Sequence, residues 1–193
     1  MTDSPTNSPP IATFHLNARV QPVHRGSVYE DPLDELLAQH APGSSVVGGG
    51  TAFTPETGPR SCDTEVQLAG DPGDTLDLVI RILEHLGAPI GSWAQLGGGE
   101  KIPFGRTHGF ALVLDGTGLP DEVYANNDVN DLIGALQATL GEQVELQSWW
   151  EGGEHTALYF YGEDAAHLRA VLASAAELSP LGVGSSVEHI AGA

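Results

Sequence analysis

Basic side chains are scarce in this chain. Six arginines and one lysine, Lys101, stand against 26 acids, for a formal net charge of −19 over 193 residues. That deficit opposes phosphate backbones and anionic lipid, so neither nucleic acid nor a membrane surface is expected as a partner. It favours a basic partner protein, or it serves solubility alone. Residues 110–193 contain Arg169 as their one base beside 13 acids, whereas residues 1–109 carry 13 acids and six bases. The second half is therefore the stronger candidate for an electrostatic docking face.

Cysteine is nearly absent too. Cys62 is single, which excludes an internal disulfide and points to a reducing, cytoplasmic setting. The N-terminus has neither the basic stretch nor the apolar stretch of a secretory signal, and no apolar run approaches the roughly 18 residues of a membrane span. Phosphate-binding GxxxxGK[ST], dinucleotide-binding GxGxxG opening a helix, HExxH and GxSxG are all missing. The eight histidines are scattered, with no pair spaced for one helix face. No metal and no cofactor is expected.

What is present is a pattern that repeats. Residues 12–96 and 110–190 each read as strand, helix, strand, strand, helix, strand. This is the βαββαβ order of a ferredoxin-like unit. In residues 12–20, Phe14, Leu16, Ala18 and Val20 alternate with polar residues, as a strand requires. Residues 23–30 read as a loop, and Asp31-Pro32 as the start of a helix. In residues 74–86, Leu76, Val79, Ile80, Leu83 and Leu86 form an apolar stripe of helical period. Residues 143–150 and 155–161 flank Glu151-Gly152-Gly153-Glu154 as a hairpin. The expected fold is therefore α+β: two tandem ferredoxin-like units, each an antiparallel sheet with helices on one face, packed together. Residues 1–11 are a Ser/Thr/Pro-rich tail, 12–96 the first unit, 97–109 a linker and 110–193 the second unit. A unit of about 80 residues is only marginally stable alone, which argues for close association of the two.

Gly48-Gly49-Gly50 lacks phosphate-loop spacing, so a bulge or a close backbone approach is the expectation there. Cys62 alternates with Thr64, Val66 and Leu68, which favours a buried structural thiol over a nucleophile. Asp63 and Glu65 share the opposite strand face, and His24 and Arg25 sit in a loop that would reach them. Those four residues form a candidate ligand site with acid–base capacity, although a solvated face is the plainer reading. Trp149 and Trp150 are adjacent in one strand, so they point to opposite faces, and Phe160 likewise opposes Tyr159 and Tyr161. Either both faces are covered, or an aromatic patch lies exposed beside Glu151 and Glu154.

His24-Arg25-Gly26, Glu30-Asp31-Pro32-Leu33-Asp34-Glu35, Gly48-Gly49-Gly50-Thr51, Gly87-Ala88-Pro89-x-Gly91-Ser92 and Leu158-Tyr159-Phe160-Tyr161-Gly162 together resemble a group of bacterial hypothetical proteins. The resemblance covers most of the chain after residue 12 and carries over no functional residues. In size and charge the chain is also similar to cytoplasmic immunity proteins that neutralise toxins.

Two functional readings fit these features. In the first, the chain is a non-enzymatic protein-binding module, an immunity- or antitoxin-like inhibitor. Asp121, Glu122, Asp128, Glu151 and Glu154 would attract a basic partner, and Trp149, Trp150, Tyr159 and Tyr161 would anchor it. In the second, an enzyme or small-ligand site built from His24, Arg25, Asp63 and Glu65 lies in a cleft between the units. Self-assembly of a homodimer through an exposed sheet edge is a third reading.

Overall fold

A computed structural model describes residues 9–142 and 144–192. Most of the tail expected over residues 1–11 lies outside the described residues. Two antiparallel sheets account for the strands. The first has five strands and the second has four.

In the first unit, β1 (Ile11–Leu16) pairs with both β3 (Gly58–Gln67) and β4 (Ser92–Leu96), and β2 (Ser45–Thr54) lies at the edge beside β3. The second unit repeats the arrangement. There β6 (His108–Asp115) lies between β8 (His155–Gly162) and β9 (Ser186–Ala191), and β7 (Val144–Glu151) occupies the edge beside β8. The same order in both sheets, with α2 (Asp31–His40) and α3 (Pro72–His85) in the first unit and α5 (Val129–Leu140) and α6 (Ala165–Ala173) in the second, establishes two ferredoxin-like units.

Caps define the helix starts. Asp71, Asp128 and Asp164 each accept backbone N–H groups of the first turn of α3, α5 and α6. On α3, Leu76, Val79, Ile82 and Leu83 are buried, so the core stripe takes in Ile82, while Ile80 and Leu86 are only partly buried.

Three segments depart from the sequence expectation. Residues 23–30 are helical rather than a loop: α1 (Pro22–Arg25) runs into a π-helical turn (Gly26–Glu30) and on into α2. α2 does begin at Asp31-Pro32, but the cue there hides the helical residues before it, because Pro32 lacks an N–H and ordinarily follows a non-helical segment. Here the Asp31 N–H donates to Gly26 five residues back, and the widened turn precedes the proline. The linker contains a short strand, β5 (Ile102–Phe104), paired with β4. Finally, the pairing of β1 ends at Leu16, although Ala18 and Val20 beyond it remain fully buried.

The two sheets do not merge. Phe110, Leu112, Leu158 and Phe160 face the helices of their own unit. Ala111, Trp150, Tyr159 and Tyr161, on the other face of that sheet, join one apolar core with Phe14, Leu16, Val20, Tyr29 and Cys62 of the first unit. The helix-free face of the second sheet is thus covered by the first unit.

Candidate functional site

Strand β7 and what surrounds it decide where the aromatic side chains go. Its pairing with β8 slips between Leu146 and Ser148, so one extra residue is accommodated there. The irregularity leaves both Gln147 and Ser148 buried against the first unit. Gln147 Oε1 accepts the buried Tyr29 hydroxyl at 2.8 Å. Ser148 Oγ accepts the Gln21 N–H at 3.1 Å and lies 2.8 Å from His24 Nδ1.

Beyond the bulge the two tryptophans part company. Trp150 is 6% exposed and enters the core between the units, with Gly58 and Gly152 lying against its ring. Trp149 is 42% exposed and turns away from that core. The first unit holds Trp149 in place: the Gln21 side-chain amide donates to its carbonyl, and the His24 ring lies 5.8 Å from its ring centre.

Tyr159 and Tyr161 are 1% and 2% exposed. The Tyr161 hydroxyl accepts the Arg19 N–H at 2.7 Å, and the Arg19 guanidinium sits 6.0 Å from the Tyr159 ring centre. Burial pushes the phenols of both tyrosines up, as it does for Tyr29. Trp150, Tyr159 and Tyr161 therefore cannot touch a partner. This corrects the expectation of a four-residue aromatic patch. The first unit covers the second sheet's bare face, and Trp149 alone of the four remains accessible.

The acidic loop and the hairpin do come together. A cleft of about 1120 Å³ opens between the segment through α4 (Asp121–Asn126) and α5 on one side and the β7–β8 hairpin on the other. Asp115, Asp128, Asp131 and Glu151 line it together with His155, and among the described residues no lysine or arginine does. Tyr124, Ile133 and Leu146 add half-buried apolar surface, and Trp149 stands on the hairpin side. Two of these carboxylates also serve the local fold. Asp115 accepts the N–H groups of Thr117 and Gly118, which hold its carboxyl below the usual carboxylate value. Asp128 caps α5 through the Asn130 N–H. Asp121 and Glu122, in the first turn of α4, and Glu154, at the hairpin tip, are exposed beside the cleft rather than in its lining.

His24, Arg25, Asp63 and Glu65 do not converge. Arg25 Nε donates to Glu30 Oε1 at 2.8 Å and Nη1 to Thr51 Oγ1 at 3.3 Å. This pair lies on the side of β2 where a Cβ on Gly49 would fall 2.8 Å from Glu30 Oε1. Gly48, the next residue along, faces the Glu65 carboxylate instead. Asp63 Oδ1 lies 2.7 Å from His15 Nδ1, and the His15 ring stacks on Trp93 at 5.0 Å. The two acids thus occupy the outer face of the first sheet, and Arg25 and Glu30 the inner one. This corrects the four-residue ligand site: strand alternation separates its members. The triple glycine follows a register shift in β2, and Gly49 in it makes room for the Arg25–Glu30 pair.

Cys62 is buried, with its thiol pushed up to about 12 by burial, partly offset by Arg25. At neutral pH it is therefore a thiol rather than a nucleophilic thiolate. Among the described residues, no group of three His, Cys, Asp or Glu side chains is placed to hold a metal ion. No helix among the described residues is long and apolar enough to cross a membrane.

No protein-family model matches the chain, and no curated protein matches it. Among solved structures, it is similar to the ligand-free regulatory subunit of aspartate kinase from Thermus thermophilus, at 16% identity and a TM-score of 0.28, over 88% of this chain and 93% of that one. It is also similar to an unknown protein from Galdieria sulphuraria, at 13% identity and a TM-score of 0.30, over 94% of this chain and 96% of that one. Neither likeness bears on activity.

Proposed function

We propose that this chain is a non-enzymatic binding module for a basic partner protein, docked on the acidic face of the second unit. The observation that carries this reading is the cleft itself. The acidic segment and the β7–β8 hairpin meet around one opening that, among the described residues, is lined by four carboxylates and by no lysine or arginine. Complementary charge of this kind speeds encounter and rejects acidic competitors. Trp149 adds an accessible aromatic of the type that anchors interfaces.

The more specific form of the proposal is inhibition of the immunity or antitoxin kind, in a reducing cytoplasm. The bound module would cover a working surface of its basic partner. Support for it is the charge of −19 and the placement of the acids, not a motif.

The test is capture of partners on the immobilised full chain at low salt, followed by elution with rising salt. A variant carrying Asp121→Asn, Glu122→Gln, Glu151→Gln and Glu154→Gln is run beside it. A basic protein should elute from the variant at distinctly lower salt than from the native chain, and its activity should fall when the native chain is added. Identical elution from both would overturn the docking face, and unchanged activity of the bound protein would overturn the inhibitor form.

A further inference from the structure

The kind of segment that fits this cleft follows from its two surfaces. On the reading of the second unit as a docking face, a purely electrostatic contact needs only the exposed acids at the rim. The cleft offers more. Ile133 on α5 and Leu146 on β7 are partly buried side chains that line this opening, and Trp149 is partly exposed on its hairpin side. These side chains give the opening an apolar wall among its carboxylates. Asp131 stands at the start of α5 and Glu151 at the end of β7, so carboxylates come from both sides of the opening. A volume of about 1120 Å³ lies above the roughly 300–1,000 Å³ of most small-molecule pockets. It suits a length of polypeptide better than a small cation.

We infer that the occupant is an amphipathic cationic segment of the partner protein. An apolar side chain of that segment packs against Ile133, Leu146 and Trp149, and its lysines or arginines face Asp131 and Glu151. Charge complementarity selects this occupant over a second copy of a chain with net charge −19. The apolar contact sets it apart from a polyamine, which brings charge without side chains. Gln21 bonds the Trp149 carbonyl and the His24 ring lies beside its ring, so the first unit helps to place the anchor.

The experiment titrates the full chain with three probes: a ten-residue peptide alternating lysine and leucine, a peptide of equal charge with serine for leucine, and spermine. Affinity is measured by calorimetry at low and at high salt. The leucine peptide should bind at least tenfold more tightly than the serine peptide and keep measurable affinity at high salt. Ile133→Glu and Trp149→Ala should each weaken it tenfold or more with the far-ultraviolet circular dichroism unchanged. Asp131→Asn should weaken it severalfold, and Glu65→Gln, the same loss of charge on the outer face of the first sheet, should leave it unaltered. Equal binding of the two peptides, with Ile133→Glu and Trp149→Ala silent, would overturn insertion and leave a charge-only docking face standing. Spermine binding without a preference for the leucine peptide would overturn it in favour of a small cation. Self-association abolished by Trp149→Ala, without peptide binding, would assign the cleft to a second copy and overturn it as well. Failure of all probes in a chain that still captures a basic protein through its rim acids would reject insertion alone. Failure of both would reject the parent reading too.

Discussion

Cys62 and the buried tyrosines show how far one side chain's fate can be read from its neighbours in sequence. Alternation with Thr64, Val66 and Leu68 is enough to bury Cys62, and it is buried. Its thiol, pushed up to about 12, should resist alkylation in the native protein at pH 8 and react on unfolding. Rapid labelling under native conditions would contradict this. Tyr29 and Tyr161 are raised by the same cause. As pH rises, the unfolded chain therefore loses thiol and phenol protons before the native one does. Stability is fully present below about pH 8 and falls from about 8.5 for the thiol and about 10 for the phenols. Urea midpoints should be level between pH 7 and 8 and drop by pH 10.5, and Cys62→Ala should remove the earlier part of the loss. Close approach is harder to foresee. Gly152 reads as a hairpin residue, yet a Cβ there would collide with the Trp150 ring, and on Gly58 it would fall 2.6 Å from that ring. Gly152→Ala should cost about 1–3 kcal/mol by overpacking, measured by chemical denaturation.

At the scale of elements, the legible parts were those with a clean period. The strand alternation of residues 12–16, the stripe on α3 and the hairpin around Gly152-Gly153 all follow from spacing. What spacing could not show was where a period breaks. Two buried polar residues in succession, Gln147 and Ser148, do not spell a strand, but a bulge accommodates them because the first unit supplies partners for both. The helical path of residues 22–30 was hidden by Pro32, which marks a helix start in sequence but follows a π-helical turn in the fold. The bulge makes a definite prediction. Gln147→Leu keeps the volume and strands the buried Tyr29 hydroxyl, which should cost about 1–3 kcal/mol. Pairing it with Tyr29→Phe should recover much of that loss, because both polar partners are then gone. Additive losses in the double variant would show that the two groups are not coupled.

For the molecule as a whole, the two units share one core, and this decides both stability and the site. Trp150, Tyr159 and Tyr161 are buried only because the first unit covers the second sheet. Unfolding should accordingly be one cooperative transition by calorimetry and by tryptophan fluorescence, where independent units would give two. A net charge of −19 strains the compact state through self-repulsion, so raising sodium chloride from about 0.02 to 0.2 M should raise the melting temperature. A fall would contradict that account. The candidate site was half legible. Charge asymmetry points to the second half, where Asp115, Asp128 and Glu151 line one cleft while Asp121, Glu122 and Glu154 lie beside it. The aromatic part is not legible, because no sequence period tells which face of a sheet a neighbouring unit covers. The alternative site fails for a simpler reason: Arg25 lies on one side of the first sheet and Asp63 and Glu65 on the other, while His24 meets Ser148 of the second unit.

Hydrogen exchange of the full chain, with and without a basic protein captured on it, locates the proposed docking face. Added protection is expected at the start of α5 and in the β7–β8 hairpin, with the His15–Trp93 face of the first sheet unchanged. Protection confined to that first-sheet face, with the cleft unaltered, would contradict it.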